Sequence, residues 1–162
     1  MTAYKTPVSV LVVIHTTDLQ VLLIERAAHP GFWQSVTGSL EDKEALRETA
    51  RREVAEETGI IAPAEAFLDW QQSNTFEIFP QWRHRYAPGV TENVEHVFSL
   101  CLPAPCEVTL APEEHLAWQW LPAIEAAERC FSSSNRAAIL ALLERNKQEA
   151  DHRICPKSPK AE

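Results

Sequence analysis

Acidic residues are concentrated in one short segment of the chain, which reads GSLEDKEALRETARREVAEETGI from Gly38 to Ile60. In a helix each residue turns by about 100°, so Glu53 and Glu57 should project from nearly the same side, with Glu56 at the margin of that arc. Three carboxylates would then lie within about one turn. Clustered carboxylates of this kind can bind divalent cations or assist proton transfer.

The predicted helix has its apolar stripe on the same side as these acids. The stripe consists of Leu46, Ala50 and Val54, whereas Glu44, Glu48 and Arg51 are predicted on the opposite side. Acids that only solvate a helix belong opposite the stripe, because beside it like charges repel and lose hydration unless a cation lies between them. Carboxylate oxygens suit Mg²⁺, and the segment has no His or Cys for zinc. The segment therefore predicts a magnesium site.

The composition of the whole chain favours a small anionic ligand over a polymer. A chain of 162 residues that is 45% hydrophobic is long enough for one core, so a single domain is expected over 1–150, with a disordered tail over 151–162. The formal net charge of -8 argues against binding to nucleic acid or to an anionic membrane. An acidic protein that binds phosphates needs a bridging cation.

The distribution of apolar and cysteine residues predicts a soluble, cytoplasmic protein. No apolar run approaches the roughly 20 residues of a membrane span, and residues 1–7 lack the apolar core of a secretory signal. The cysteines have neither the spacing of a zinc site nor the density of a disulfide scaffold, which predicts reduced thiols. They are Cys101, Cys106, Cys130 and Cys155.

The elements that must position the acids alternate between strands and helices. Apolar, β-branched runs predict two strands near the start of the chain, one over 8–16 and one that begins at Val21. Further strands are predicted in the segments AFLDW, TFEIF and NVEHVFSLCL, and a last one over 118–121. Helices are predicted from the acidic 41–44 to near Gly59, through AIEAAERC after Pro122, and over 135–148, while HRYAPGVT is predicted as a loop. Strands on both sides of the first helix predict a mixed sheet with helices on both faces.

The acidic segment resembles the signature of the Nudix hydrolase family: Gly, five residues, Glu, seven residues, Arg-Glu-apolar, any, Glu-Glu, any, Gly-apolar. All nine constrained positions match, namely Gly38, Glu44, Arg52, Glu53, Val54, Glu56, Glu57, Gly59 and Ile60. The resemblance implies an α/β fold, an α/β/α sandwich with a mixed β-sheet. It also implies a Mg²⁺-dependent pyrophosphohydrolase, with Mn²⁺ able to substitute.

The resemblance also implies roles for individual residues. Glu53 and Glu57 would hold the metal with Glu56 close by, and Arg52 would pair with a neighbouring acid such as Glu44 and orient the cluster. Gly38 would form a tight turn where backbone approaches metal or phosphate, and Gly59 would close the helix. The general base stays open between Glu56, Glu57 and a carboxylate outside the helix.

A further acid is expected from a later loop, since Nudix enzymes often bring one to the metals. The segment EEHLAW contains Glu113, Glu114 and His115. Glu114 is the predicted metal ligand and catalytic residue, and His115 is predicted to be a hydrogen-bonding loop residue.

Other stretches, among them FWQSVTGS and FEIFPQWRHRYAPGVTEN, resemble the family's bacterial dihydroneopterin triphosphate pyrophosphatase branch. That branch serves folate biosynthesis, and its members tend to accept dATP, so a small-molecule triphosphate is the expected substrate. The predicted substrate-binding residues are Lys5 and Arg26 for phosphates, Thr37 as a donor, and Phe76, Glu77, Ile78, Phe79 and Ser132 for the pterin. The basic residues Arg83, His84 and Arg85 become a candidate lid, and Trp33 a candidate core or site aromatic.

Two alternatives stay open at this point. A house-cleaning hydrolase for dATP or oxidised deoxynucleotides would use the same metals and a different base pocket. A non-catalytic Nudix module would bind a nucleotide without turnover, although such modules usually lose signature acids. Departures at Glu41, Lys43 and the Cys130-Phe131 pair leave the relative activity on pterin and purine substrates open, and the oligomeric state is not predicted.

Overall fold

Strand β1, Val8–Thr16, lies at the centre of the sheet because its apolar residues are covered on both faces. The computed structural model describes residues 4–154. One edge of β1 pairs in parallel with β6, Glu92–Leu102, along its whole length. Its other edge is shared: β4, Val36–Ser39, pairs with residues 9–12, and β2, Gln20–Arg26, pairs at His15. Strands β2 and β4 therefore meet the same edge of β1 at different positions along it.

Three more strands extend the sheet. Strand β7, His115–Pro122, and the short β3, Trp33–Gln34, pair with β2, while β5, Phe67–Glu77, pairs with β6. The helices are α1, Leu46–Thr58, α2, Ala123–Arg129, and α3, Ser133–Ile154. Short 3-10 turns cover Ala64–Ala66 and Pro80–Arg85.

The two faces of the sheet carry separate apolar cores. Along β1, Val10, Val12 and Ile14 pack with α1 residues such as Ala50 and Val54 in one core. Leu11 and Val13 pack in the other core, with residues of α2 and α3. Alternation along a strand produces this division, since successive side chains point to opposite faces. The predicted mixed sheet with helices on both faces is confirmed.

Strand β5 corrects the prediction of two separate strands, AFLDW and TFEIF. It is one irregular strand that ends at Glu77, with a register shift between Asp69 and Ser73. Gln71 has a φ of 54° at the irregularity, and its N–H donates to Asp69 Oδ1 at 2.8 Å. The polar residues in this stretch suggest a gap between two strands, whereas a bulge of this kind lets one strand continue.

The helix ends follow the sequence signals, with two differences in length. Gly59 closes α1 in the left-handed conformation, with φ 76° and its N–H donating to the Ala55 carbonyl, as predicted. Strand β7 begins at His115, three residues before the predicted start at Trp118, because His115 already pairs with Arg26 on β2. Helix α3 continues to Ile154, and the rest of the predicted tail, 155–162 with Cys155, lies outside the described residues. Among the described helices none is long and apolar enough to cross a membrane.

Candidate active site

Glu53 and Glu57 lie together on the sheet-facing side of α1, as the helical wheel predicts. Glu57 is buried, and the Glu53 side chain is 13% exposed. The two carboxyl groups share a hydrogen bond, and the backbone N–H of Thr37 on β4 donates to Glu57. Strand β4 therefore holds the second acid in place, because its N–H points at the helix.

Burial raises the pKa of both acids. Desolvation is the main cause, and the pKa of Glu53 is raised to about 7 despite the nearby Arg52. The pKa of Glu57 is raised well above its usual range by desolvation and by the negative charges of Glu53 and then Glu114. Like charges in a dry site favour the protonated form until a cation compensates them. Without a counter-ion this pair retains a proton near neutral pH.

Two further acids reach the pair. The exposed Glu56 forms a side-chain hydrogen bond with Glu53, and Glu114, in the turn before β7, interacts with Glu57 by charge. Glu57 Oε1 is buried and has no hydrogen-bond partner in the described chain. His115 Nε2 lies 3.9 Å from this oxygen, beyond hydrogen-bond range, and desolvation lowers the pKa of His115. Glu57 thus presents a free oxygen to the site.

Arg52 binds several acids at once. Its Nε and Nη2 donate to the two carboxylate oxygens of Glu44 at 2.6 and 3.0 Å. Its Nη1 donates to Glu53 at 2.7 Å and to Glu56 at 3.1 Å, and its Nη2 also reaches the Ser39 carbonyl at 3.0 Å. A planar guanidinium suits such a fixed fork. Arg52 therefore ties α1 to β4 and orients Glu53, and its pairing with Glu44 agrees with the prediction.

The position of Glu44 differs from the helical wheel, which placed it on the far side of the helix. Helix α1 begins only at Leu46, and Asp42 has a φ of 50° in the turn before it, so the wheel does not extend to Glu44. The side chain folds back toward Arg52, whose hydrogen bond is the main reason that the pKa of Glu44 is lowered to about 2. The predicted exposure of Glu48 and Arg51 agrees with the structure, since they pair with each other at the surface.

Gly38 is required because of the carboxylate beside it. A Cβ at this position would overlap Oε2, Cδ and Cγ of Glu53. Any side chain on Gly38 must displace the acid from its position between Arg52 and Glu57. The glycine of the signature, which lies in β4 rather than in the predicted tight turn, therefore makes room for the Glu53 carboxylate.

The donor set fits a hard divalent cation. It consists of carboxylate oxygens, one of them the unpartnered Oε1 of Glu57, and their raised pKa values indicate missing positive charge. Among the described side chains of residues 4–149, no group of three His, Cys, Asp or Glu stands ready-formed around an ion position. Here the acids contact one another and Arg52, so they would have to exchange those contacts for a cation.

A cleft of about 1550 Å³ joins the acids to an aromatic region. Of the predicted metal-site acids, Glu53, Glu57 and Glu114 line it, and Glu56 does not. Six of the predicted substrate-binding residues line it as well: Lys5, Arg26, Thr37, Phe76, Phe79 and Ser132. A further cavity of about 820 Å³, which includes Trp70 and Arg145 in its wall, contains none of the α1 acids.

Glu77 and Ile78 do not line the cleft, unlike the other residues predicted for the pterin slot. Ile78 is buried, and its carbonyl accepts from Arg83 Nε at 2.9 Å. Glu77 is exposed and pairs with Arg83 at 3.1 Å, so Arg83 stabilises its own loop. Phe76 remains in the cleft because alternate residues of a strand share a face, and Phe79 reaches it from the following turn.

The candidate lid and Trp33 also lie outside the cleft wall. Arg83, His84 and Arg85 do not line the cleft, although Gln81 and Trp82 of the same turn do. Trp33 is partly buried against the core that contains α2 and α3, which agrees with its reading as a core aromatic.

Sequence reasoning missed several cleft residues on other elements. Asn93 and Glu95 are buried on β6, and Ser134 and Asn135 lie in the first turn of α3. Polar residues at alternate positions of the apolar run NVEHVFSLCL were the available signal, because a buried strand position seldom carries Asn or Glu without a partner. A stack of His29, Phe32 and Phe131 near Arg26 was also missed, since Phe131 comes from a distant segment.

Comparison with known proteins accounts for this arrangement of fold and acids. A model of the NUDIX domain matches residues 5–142. The chain belongs to the Nudix family. It is a Nudix hydrolase whose relatives include the dihydroneopterin triphosphate diphosphatase of Escherichia coli K12, 50% identical over 139 residues, which are 84% of this chain and 91% of that protein. The Haemophilus influenzae protein of the same name is 43% identical over 144 residues, 86% of this chain and 89% of the relative.

A solved structure resembles the fold over a similar length. The structure of the E. coli dihydroneopterin triphosphate pyrophosphohydrolase superposes with a TM-score of 0.76 at 49% identity, covering 85% of this chain and 94% of that one. The family and the enzyme class predicted from the signature are confirmed. Nudix hydrolases generally use divalent metal ions and act on small nucleotide-like substrates, which fits the cleft described above.

Proposed function

We propose that this Nudix hydrolase cleaves dihydroneopterin triphosphate to dihydroneopterin monophosphate and pyrophosphate in a Mg²⁺-dependent reaction, as a cytoplasmic step of folate biosynthesis. The likeness to diphosphatases of that name along 84% and 86% of the chain carries the choice of substrate. The cleft supports it, because one continuous space holds acids at one end and aromatic and amide side chains at the other. A flat polar ring joined to phosphates matches both ends.

The acids would hold the cation and the phosphates would share it. Glu53, Glu57 and Glu114 are the proposed ligands, with Glu56 beside them. Bound Mg²⁺ would neutralise phosphate charge and lower the pKa of a water. Mn²⁺ offers similar oxygen coordination and should substitute.

Other residues of the chain would position the substrate. Lys5 and Arg26 line the cleft and carry the positive charge for phosphate oxygens. The Thr37 N–H orients Glu57, and Arg52 orients Glu53. Glu56, Glu57 or Glu114 would accept the proton of the attacking water, since each lies in or beside the acid cluster.

Activity on dATP is the second candidate, because the phosphate end of the cleft does not depend on the ring. A purine would fit the aromatic end, and a house-cleaning hydrolase would use the same acids. We propose dATP as a side substrate. The two readings differ only in which ring the cleft favours.

The test compares both substrates directly. Purified protein is incubated with Mg²⁺ and either dihydroneopterin triphosphate or dATP, and pyrophosphate is scored against orthophosphate. We expect pyrophosphate release, a higher kcat/KM for the pterin, and loss of at least about 100-fold in Glu53→Gln. Glu48→Gln is the matched control, since Glu48 lies on the same helix and pairs with Arg51 at the surface.

Each outcome separates the hypotheses. Strong preference for dATP would retain the Nudix chemistry and reject the pterin assignment. No turnover of either compound by the wild-type protein would reject both. Equal losses in Glu53→Gln and Glu48→Gln would show that the acid cluster is not the metal site.

A further inference from the structure

The end of the cleft away from the acids contains a buried carboxyl group for which the hydrolysis itself has no use. Glu95 is 7% exposed on β6 and lines the cleft. It accepts a hydrogen bond from Ser134 Oγ at 3.2 Å and another from the Asn74 side chain. No Lys, Arg or His is among these partners. A buried acid with only neutral donors leaves acceptor capacity for a ligand.

Asn93 lies beside Glu95 on the same face of β6, two residues earlier. It is 3% exposed, and its Nδ2 donates to Ser9 Oγ at 2.8 Å. Its Oδ1 is buried and has no partner within the described chain. Whichever way the amide is turned, only one of its two polar atoms is paired. A buried, unpaired amide atom that lines a cleft indicates a missing ligand contact.

The sheet register sets the distance between this pair and the catalytic acids. Glu95 is the cross-strand neighbour of Ser9, and Ser9 is the neighbour of Ser39. Two strand spacings separate Glu95 from Ser39, roughly 10 Å. Ser39 follows Gly38, which contacts Glu53. A ring at Glu95 can therefore extend its phosphates to the acid cluster.

We propose that Glu95, with Asn93 beside it, recognises the ring of the substrate by accepting hydrogen bonds from the 2-amino group and the N3–H of the pterin. This inference rests on the proposed function. The two pterin donors are adjacent and match the two oxygens of a carboxylate, in the way that a guanidinium does. Adenine presents one amino donor beside a ring acceptor, so a carboxylate can satisfy only part of its edge.

Aromatic residues would hold the faces of the same ring. Phe76 and Phe79 are 44% and 59% exposed and line the cleft. Their exposure provides apolar surface for a flat ligand but does not distinguish between rings, since every ring has a π face. Glu95 is therefore the group that selects the pterin, and the phenyl rings are general contacts.

The test is the ratio of kcat/KM for dihydroneopterin triphosphate to kcat/KM for dATP in Glu95→Gln. Glutamine places an N–H donor against the pterin N–H groups, whereas its amide can pair with the donor and acceptor of adenine. We expect the ratio to fall roughly 10- to 100-fold, mostly through the pterin. Glu92→Gln is the matched control, since Glu92 is exposed on the same strand, and its ratio should stay within about 2-fold.

An unchanged ratio in Glu95→Gln overturns the inference, whether both activities persist or both fall together. If the variant lacks a cooperative unfolding transition, Glu95→Asp replaces it, because aspartate keeps the charge and withdraws it by one methylene. The same ratio should then fall about 10-fold, and an unchanged ratio again overturns the inference.

Failure of the proposed function gives a different result. In that case the wild-type protein itself releases no pyrophosphate from the pterin triphosphate, or prefers dATP. If the wild-type protein prefers the pterin and Glu95→Gln keeps that preference, the proposed function stands and only the role of Glu95 is rejected.

Discussion

The two ends of the cleft place buried carboxyl groups in different electrostatic surroundings. At the acid end, Glu53 and Glu57 lie together in a partly dehydrated place, and their pKa values are raised. At the ring end, the carboxyl group of Glu95 is surrounded by neutral donors, with the aromatic Phe76 and Phe79 in the same cleft. The first end needs a cation to be stable in its ionised form, and the second needs only a ligand of the right shape and hydrogen-bond pattern.

The difference indicates a division of labour within one substrate. Changes at the acid end should affect every phosphate substrate equally, because each ring is attached to the same phosphates. Changes at the ring end should alter the ratio between substrates and leave the chemistry intact. Variants at the two ends can therefore break or sharpen this comparison.

The largest effect is expected from Glu57→Gln. Glutamine keeps the shape but cannot supply a negative ligand, so kcat/KM should fall by at least about 100-fold for both substrates. The metal-free protein should become more stable at pH 8, because the variant removes a buried acid that is repelled by Glu53 and Glu114. Steady-state kinetics and thermal unfolding measure the two effects. A loss confined to the pterin would contradict the division between the ends.

Arg52→Lys should have the next largest effect. Lysine cannot donate at once to Glu44, Glu53 and the Ser39 carbonyl, so Glu53 should lose its orientation. We expect activation by Mg²⁺ to need about 10- to 100-fold more metal. Arg51→Lys is the matched control, because Arg51 is the adjacent residue and pairs with the surface acid Glu48. Similar Mg²⁺ requirements in both variants would reject the orienting role.

The stability of the metal-free protein should depend on pH at the acid end. The pKa of Glu53 is raised from 4.5 to about 7 and that of Glu57 is also raised. The protonated acids therefore stabilise the fold fully below pH 4.5, and this contribution is lost as pH rises through about 7. Mg²⁺ should compensate the charge of the ionised acids. The rise in the protein's Tm on addition of Mg²⁺ should therefore be larger at pH 8 than at pH 5.5, by at least about 3 °C.

Thermal scans with and without Mg²⁺ at the two pH values test this expectation. Glu57→Gln should flatten the pH dependence, whereas Glu48→Gln should retain it, because Glu48 pairs at the surface. Equal Mg²⁺ shifts at both pH values in the wild-type protein would mean that the acids are not the groups that bind the metal.

The acid end could be predicted from the sequence because its parts are local. Glu53, Glu56 and Glu57 share one helix, so helical periodicity alone brings them together. Glu44 is outside this reasoning, since it precedes the helix and hydrogen bonds from Arg52 and Thr49 turn its side chain inward. Glu114 could be predicted only from the family resemblance and not from helical periodicity, because a separate turn brings it close to Glu57.

The ring end could not be predicted in the same way because its parts are distant in sequence. Asn74, Glu95 and Ser134 meet only when β5, β6 and the start of α3 have packed. The same lack of tertiary information explains Ile78. The alternation of residues in a strand does not show which face will line a cleft. Ile78 is buried, and its carbonyl accepts a hydrogen bond from Arg83 in the following turn. Local spacing thus predicts the residues of the acid end, whereas the residues proposed to select the ring come together only through long-range packing.

The smallest effect is expected from Phe79→Ala at the ring end. Phe79 is 59% exposed and contacts Trp82 edge to face, so its removal should cost little stability. An aromatic contact with a ring contributes about 0.5 to 1.5 kcal/mol, so KM should rise roughly 3- to 10-fold for the pterin and by a similar factor for dATP. The similarity follows because stacking does not read the ring edge, unlike the proposed role of Glu95. Ile124→Ala, an exposed apolar residue on α2, is the control for loss of surface area and should change neither KM. A Phe79→Ala variant that lost only the pterin activity would move selectivity from Glu95 to the aromatic face.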